Sequence, residues 1–128
     1  MMNAVLTAPP YSVIFIVEQA LGEIPVATGD DAVASTPTCI AVGTFPVQKG
    51  DTRISLSDEA PYAIDGTMMF DGILATPKRQ ISICSALGQR LLRLDVLGES
   101  TRVQVWGNHP SQPDTIDVVV QNDHPNSE

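Results

Sequence analysis

Short apolar runs rich in β-branched residues recur along the chain, separated by Gly, Pro, Asp and Ser. A spacing of about ten residues between such runs is the signature of many short strands. The pattern predicts strands at Tyr11 to Val17, Thr38 to Phe45, Thr52 to Leu56, Met68 to Ala75, Gln80 to Ser85, Leu91 to Val96, Arg102 to Trp106 and Thr115 to Gln121. Several alternate strictly: Ile54 with Leu56, Ile81 with Ile83, Leu92 with Leu94 and Val96, Val103 with Val105, and Ile116 with Val118 and Val120. Each set lines one face of its strand. The expected fold is all-β, a two-sheet antiparallel β-sandwich of about eight short strands.

Helical signal is confined to Glu18-Gln19-Ala20-Leu21, which Gly22 and Pro25 stop within a turn. Thr76-Pro77-Lys78-Arg79 and Leu97-Gly98-Glu99-Ser100-Thr101 read as hairpin connections, making Met68 to Trp106 a meander. Gly22 to Pro37 reads as one long loop, a length at which loops are often functional. Thr115 to Gln121 has neither Lys nor internal Pro and is expected at a sheet edge, where it could pair with a second copy. Residues 1–10 are expected to form a flexible lead-in, residues 11–121 a single domain, and the wholly polar residues 122–128 a disordered tail.

Charge changes this picture only in part. Seven Lys and Arg against fifteen Asp and Glu leave a formal charge of −8 over 128 residues. Residues 1–31 hold four acids and no base, whereas residues 67–107 hold five of the seven bases. Such an acidic chain is a poor match for a phosphate backbone or an anionic lipid surface. The longest apolar run, Val13 to Val17, is far shorter than the roughly 18 residues of a membrane-spanning helix. Two cysteines without a signal-peptide pattern point to a reducing cytoplasm.

Catalytic chemistry finds little support. No glycine-rich phosphate loop and no nucleophile elbow occurs; His109 lies in a loop before a proline and His124 in the expected tail. The acid pair Asp30-Asp31 and the turn dipeptides Asp65-Gly66 and Asp71-Gly72 match no calcium loop, and Cys39 and Cys84 lack zinc spacing. No cofactor or metal is expected, and the chain reads as non-enzymatic. Cys39 and Cys84 fall out of phase with their apolar neighbours and are expected on the less buried side of their strands. Trp106 falls opposite Val103 and Val105, on a face with Arg102 and Gln104. It is packed under the following loop or available as a contact, a role in which Trp and Arg are enriched.

The order Arg90-Leu91-Leu92-Arg93-Leu94-Asp95-Val96, a Gly-containing turn, Arg102-Val103-Gln104-Val105-Trp106, a polar loop, then Thr115-Ile116-Asp117-Val118-Val119-Val120 resembles the end of competence protein J. The likeness implies membership of a family of small acidic β-rich proteins that bind and inhibit a DNA-entry nuclease. It carries no individual inhibitory residue onto this chain. The charge argument runs the same way, since an acidic domain can occupy the basic groove where a nuclease holds DNA. Expected contacts with such a basic partner are Trp106 and the loop acids Asp30, Asp31, Asp58, Glu59 and Asp65. Self-association through an edge strand, and a calcium- or small-ligand-binding sandwich, remain as alternatives.

Overall fold

The computed structural model describes residues 2–18, 33–46, 48–58, 66–109 and 112–121. They form ten strands: β1 (Met2–Thr7), β2 (Val13–Val17), β3 (Val33–Thr36), β4 (Cys39–Gly43), β5 (Thr52–Ser57), β6 (Thr67–Ala75), β7 (Gln80–Ser85), β8 (Arg90–Asp95), β9 (Ser100–Gly107) and β10 (Thr115–Gln121). Two five-stranded sheets result, ordered β1-β5-β10-β9-β6 and β3-β4-β2-β7-β8. All pairings are antiparallel except β10 with β5. Inward residues of the two sheets, among them Ile14, Ile40, Leu56, Ile83, Val105 and Val118, make one buried core. This is the expected β-sandwich.

The eight expected strands are present, and two more appear. Residues 2–7, expected as part of a flexible lead-in, are β1, paired with β5 from Met2↔Ser57 to Thr7↔Thr52. The segment carries one inward apolar residue, Val5, and places Leu6 outward at 66% exposure, so its alternation is too weak to read alone. Its pairing depends on a strand about 50 positions away, information that local periodicity lacks. Val33–Thr36, inside the expected long loop, pairs with β4 as β3. The rest of that loop, and the expected tail at 122–128, lie outside the described residues.

Two further expectations are corrected. β10 is not an edge: it lies between β5 and β9, and the edges are β1 and β6 in one sheet and β3 and β8 in the other. Its run Val118-Val119-Val120, buried on both faces, is what a central strand requires. Nor is Met68 to Trp106 a flat meander. The chain crosses between sheets at Thr76–Arg79 and again after Asp95, so β6 and β9 lie in one sheet and β7 and β8 in the other.

Register explains how this happens. β6 pairs with β9 down to Ala75↔Ser100, and β7 with β8 from Gln80↔Asp95, five residues on along one strand and five back along the other. The pairing is therefore one long hairpin folded over in its middle, its tip turning at Ser85–Gln89 with Gly88 at φ +83°. At the fold, Thr76 N donates to Glu99 O at 2.8 Å and Val96 N to Arg79 O at 3.0 Å, carrying the ladder around the corner. Thr76 Oγ1, buried, donates to Gly98 O at 2.8 Å and lies 2.9 Å from Thr101 Oγ1. Inward positions change parity there on both strands, from Leu74 to Ile81 and from Val96 to Val103. The non-glycine Arg79 takes φ +60° to make the bend.

Candidate protein-binding face

The outer face of the first sheet collects the chemistry. Trp106 stands on it in register with Met68 of β6 on one side and Asp117 of β10 on the other. β9 alternates as its sequence suggests, with Val103 and Val105 fully buried and Arg102, Gln104 and Trp106 turned outward. Trp106 is half-buried, and its Nε1 is shielded from water with no hydrogen-bond partner among the described residues. Among the described residues the indole is therefore held by packing and not by its N–H.

Two ion-pair networks flank the indole. Arg102 grips Asp71 in a two-point contact, Nε to Oδ1 at 2.8 Å and Nη2 to Oδ2 at 2.6 Å. That hydrogen bonding holds the Asp71 carboxyl below its ordinary range, with Gln104 adding a further hydrogen bond. Across β10, Arg53 lies 3.6 Å from Asp117, which also accepts from Ser55 Oγ at 2.5 Å. Exposed apolar side chains interrupt these networks: Met68 at 39%, Ile73 at 59% and Leu6 at 66%. The free face of an antiparallel sheet is ordinarily polar. A face mixing Trp, Arg and exposed aliphatics has the composition of a contact surface.

Of the residues expected at the interface, the structure does not bring the describable ones together. Asp58 follows β5 at the far end of the sheet, three residues beyond Ser55, itself in line with Asp117 and Trp106. It lines a separate cleft of about 330 Å³ with Arg93, Leu94 and Asp95. Asp30, Asp31, Glu59 and Asp65 lie outside the described residues. The acids that do flank Trp106 are Asp71, which the sequence offers only against a calcium loop, and Asp117, which it offers only as part of a strand. Their alternation with inward residues, Phe70 and Leu74 around Asp71 and Ile116 and Val118 around Asp117, is the available signal, but their arginine partners are 31 and 64 positions away.

Charge is distributed unevenly between the framework and the rest. All seven bases lie in the described residues beside eight of the acids, leaving that part at a formal −1. The other seven acids, Asp30, Asp31, Glu59 and Asp65 among them, lie outside it with no base. Arg93 pairs with Asp95 at 3.2 Å and Arg79 approaches Glu99 at 4.0 Å, surface contacts of small energetic weight.

The cysteines correct their expectation in burial, not in direction. Both face outward from the second sheet, as their phase suggests, yet Cys39 is fully buried and Cys84 is 3% exposed. That face carries its own apolar cluster, in which Phe15 and Val17 join the two thiols. Burial raises both thiol pKa values, and Cys84 nearby adds to the effect on Cys39, pushed up to about 11. Both are free, and β2 runs between their strands. Neighbouring strands are about 4.8 Å apart, so this separation exceeds the roughly 7 Å limit for a disulfide. Among the described residues no group of three His, Cys, Asp or Glu side chains could hold a metal ion.

A wider cleft, of about 610 Å³, opens between the edge strands β6 and β3, with Phe70, Ile73 and Pro37 in its lining.

No protein-family model matches this chain, and no curated protein matches it by sequence. Solved structures do. The chain shares the fold of ComJ from Bacillus subtilis, described as an inhibitor of the DNA-degrading activity of NucA, with a TM-score of 0.69 over 96% of each chain at 11% identity. It also matches the protein described as crocagin biosynthetic gene J, with a TM-score of 0.53 over 97% of this chain and 98% of that one at 9% identity. The first agrees with the resemblance read from residues 90–120, and extends it at the level of fold to nearly the whole length.

Proposed function

We propose that this chain is a non-enzymatic, cytoplasmic protein-binding domain that inhibits a basic partner, a nuclease being the leading candidate. The observation that carries the proposal is the end-to-end likeness of fold to a nuclease inhibitor, on a chain with a formal charge of −8. The charge layout supports a division of labour. A nearly neutral sandwich supplies a rigid face around Trp106, and acids outside the described residues supply the long-range attraction. Opposite charge raises association rates and is screened by salt, whereas a buried aromatic contact governs dissociation.

The test is capture of partners from lysate of cells that encode the chain, using the purified protein at low and at high salt. Retained proteins are identified by mass spectrometry and assayed for DNA degradation with and without the chain. A basic nuclease retained at low salt, shed at high salt and inhibited in solution is the expected result. Recovery of nothing but the chain itself would remove the reading. Trp106→Ala separates the two roles of that residue: lost binding at unchanged melting temperature marks a contact, and a lowered melting temperature marks packing.

A further inference from the structure

A strained hinge joins β1 to the rest of the sandwich. β1 and β2 belong to different sheets, and residues 8–12 carry the chain from one to the other. Pro9 is extended at φ −64° and ψ 133°, and the bend falls just after it, where Tyr11 stands at φ +60° and Ser12 at φ +55°. Neither is glycine, and an L residue held in the left-handed region is disfavoured against an extended one. One backbone bond closes the turn, from Ser12 N to Pro9 O at 3.0 Å. Thr44 N donates to Ser12 O at 2.9 Å and ties the far end of the hinge to the second sheet, so the pivot lies between Pro9 and Ser12.

β1 itself is held lightly. It pairs with β5 alone, and none of Asn3 to Thr7 is buried. Val5 packs against the core, and Asn3 Nδ2 donates to Arg93 O of β8 at 3.2 Å. β5, by contrast, is ill suited to stand bare: Ile54 and Leu56 are fully buried, and the strand has neither Lys nor Pro to guard an edge. What that edge accepts is given by the fold, namely Met2 to Thr7 in the register Met2↔Ser57 to Thr7↔Thr52. A second copy of the chain carries the same segment.

We infer that two copies of this chain exchange β1. In the exchanged dimer residues 8–12 run extended, about 17 Å end to end, and β1 of each copy pairs with β5 of the other in the register already described. The β1–β5 contacts are the same in both forms, so the hinge decides between them: the two left-handed residues relax and the Ser12-to-Pro9 bond opens. A short hinge under strain favours such an exchange. Pro9-Pro10 keeps the open hinge stiff and extended. Tyr11, 79% exposed on the single chain, then lies where the two hinges meet, and its ring gains buried area there. The inference stands apart from the inhibitor reading, because it rests on the hinge and the β1–β5 register and not on net charge or the Trp106 face.

The test is size-exclusion chromatography with light scattering on the full chain refolded over a concentration series, with Leu6→Cys and Arg53→Cys introduced together. These two are register partners and both are exposed, so an oxidised pair links β1 to whichever β5 it occupies, while Cys39 and Cys84 stay buried. The expected result is a dimer fraction that runs as a covalent dimer on a denaturing, non-reducing gel, beside a monomer fraction that runs as a monomer. In the chain without the cysteine pair, Tyr11→Gly should raise the dimer dissociation constant at least about tenfold, since glycine takes the left-handed conformation freely and each dimer holds two hinges. Ser12→Gly, which keeps the Tyr11 ring, should act in the same direction. Should the cysteine pair fail to fold, isotope-filtered NMR on a dimer of mixed labelled and unlabelled chains reads the contact of residues 2–7 with residues 52–57 between copies. A chain that stays monomeric throughout the series, a dimer whose cross-link lies within each copy, or a dissociation constant unmoved by both glycine variants would overturn the inference.

Discussion

The corner of the folded hairpin hangs on one buried hydroxyl pair, and its energetics follow from who donates to whom. Thr76 Oγ1 has a single proton, which goes to Gly98 O at 2.8 Å, so Thr101 Oγ1 donates to Thr76 across 2.9 Å. Both threonines are almost fully buried, at 0% and 2% exposure. Thr76→Val keeps the shape but strands two groups, the Gly98 carbonyl and the Thr101 hydroxyl. Gly98 is only half-buried, so its carbonyl adds less than a fully buried group; with about 1–3 kcal/mol for the buried Thr101 hydroxyl left unpaired, the loss should be about 2–3 kcal/mol. Thr101→Val removes only the donor to Thr76, which keeps its bond to Gly98, and should cost about 1 kcal/mol. Once Thr76 is gone, Thr101→Val removes an already stranded hydroxyl, so the double variant should be more stable than additivity predicts by at least about 0.5 kcal/mol.

Urea unfolding followed by fluorescence of the single tryptophan, Trp106, and in parallel by circular dichroism, measures all four proteins. Against a total stability of about 5–15 kcal/mol these differences are readily resolved. Equal losses for the two single variants, or strict additivity, would refute the assigned hydrogen-bond direction. A Thr76→Val loss below about 0.5 kcal/mol would refute the claim that the corner depends on it.

The thiols should be inert in the native state: a thiol reagent at mildly alkaline pH should label neither Cys39 nor Cys84 until denaturant is added, as a time course of labelling will show. Because burial raises the folded Cys39 pKa to about 11, the associated stability is present below the ordinary thiol value of about 8.5 and is lost as pH rises toward the folded one. Asp71 behaves oppositely. Arg102 lowers its folded pKa, so its contribution is present above the ordinary carboxylate range and is lost as pH falls through the lowered value, a dependence that Asp71→Asn should remove from melting curves taken across acidic pH. Gly66→Ala should destabilise by roughly 1–3 kcal/mol, because its Cβ would sit 2.6 Å from the Gly107 carbonyl oxygen at a φ of +156°; a melting temperature equal to the parent's would contradict that close approach.

Much of the sandwich was written locally. Ile81 with Ile83, Val103 with Val105, and Ile116 with Val118 and Val120 each announce a strand and its buried face, because alternation is a property of neighbouring residues. The outward placement of Trp106 beside Arg102 and Gln104 was legible for the same reason. Even the fold in the long hairpin left a trace, in the parity change between Val96 and Val103, although hairpin turns and sheet-crossing corners use similar Gly and Pro signals.

Pairing and burial were decided elsewhere. β1 exists because β5 offers an edge, and β10 is central because β5 and β9 flank it; neither neighbour can be inferred from the strand's own residues. Cys39 and Cys84 are buried although they face away from the main core, since Phe15 and Val17 share their side of the sheet. The arginines that neutralise Asp71 and Asp117 come from other strands. The amino-acid order determines which side of a strand each residue occupies, because that depends on a two-residue repeat. Which strands meet, and so which acids are paired and which edges stay open, is settled only when segments tens of residues apart close on one another and bury a shared core.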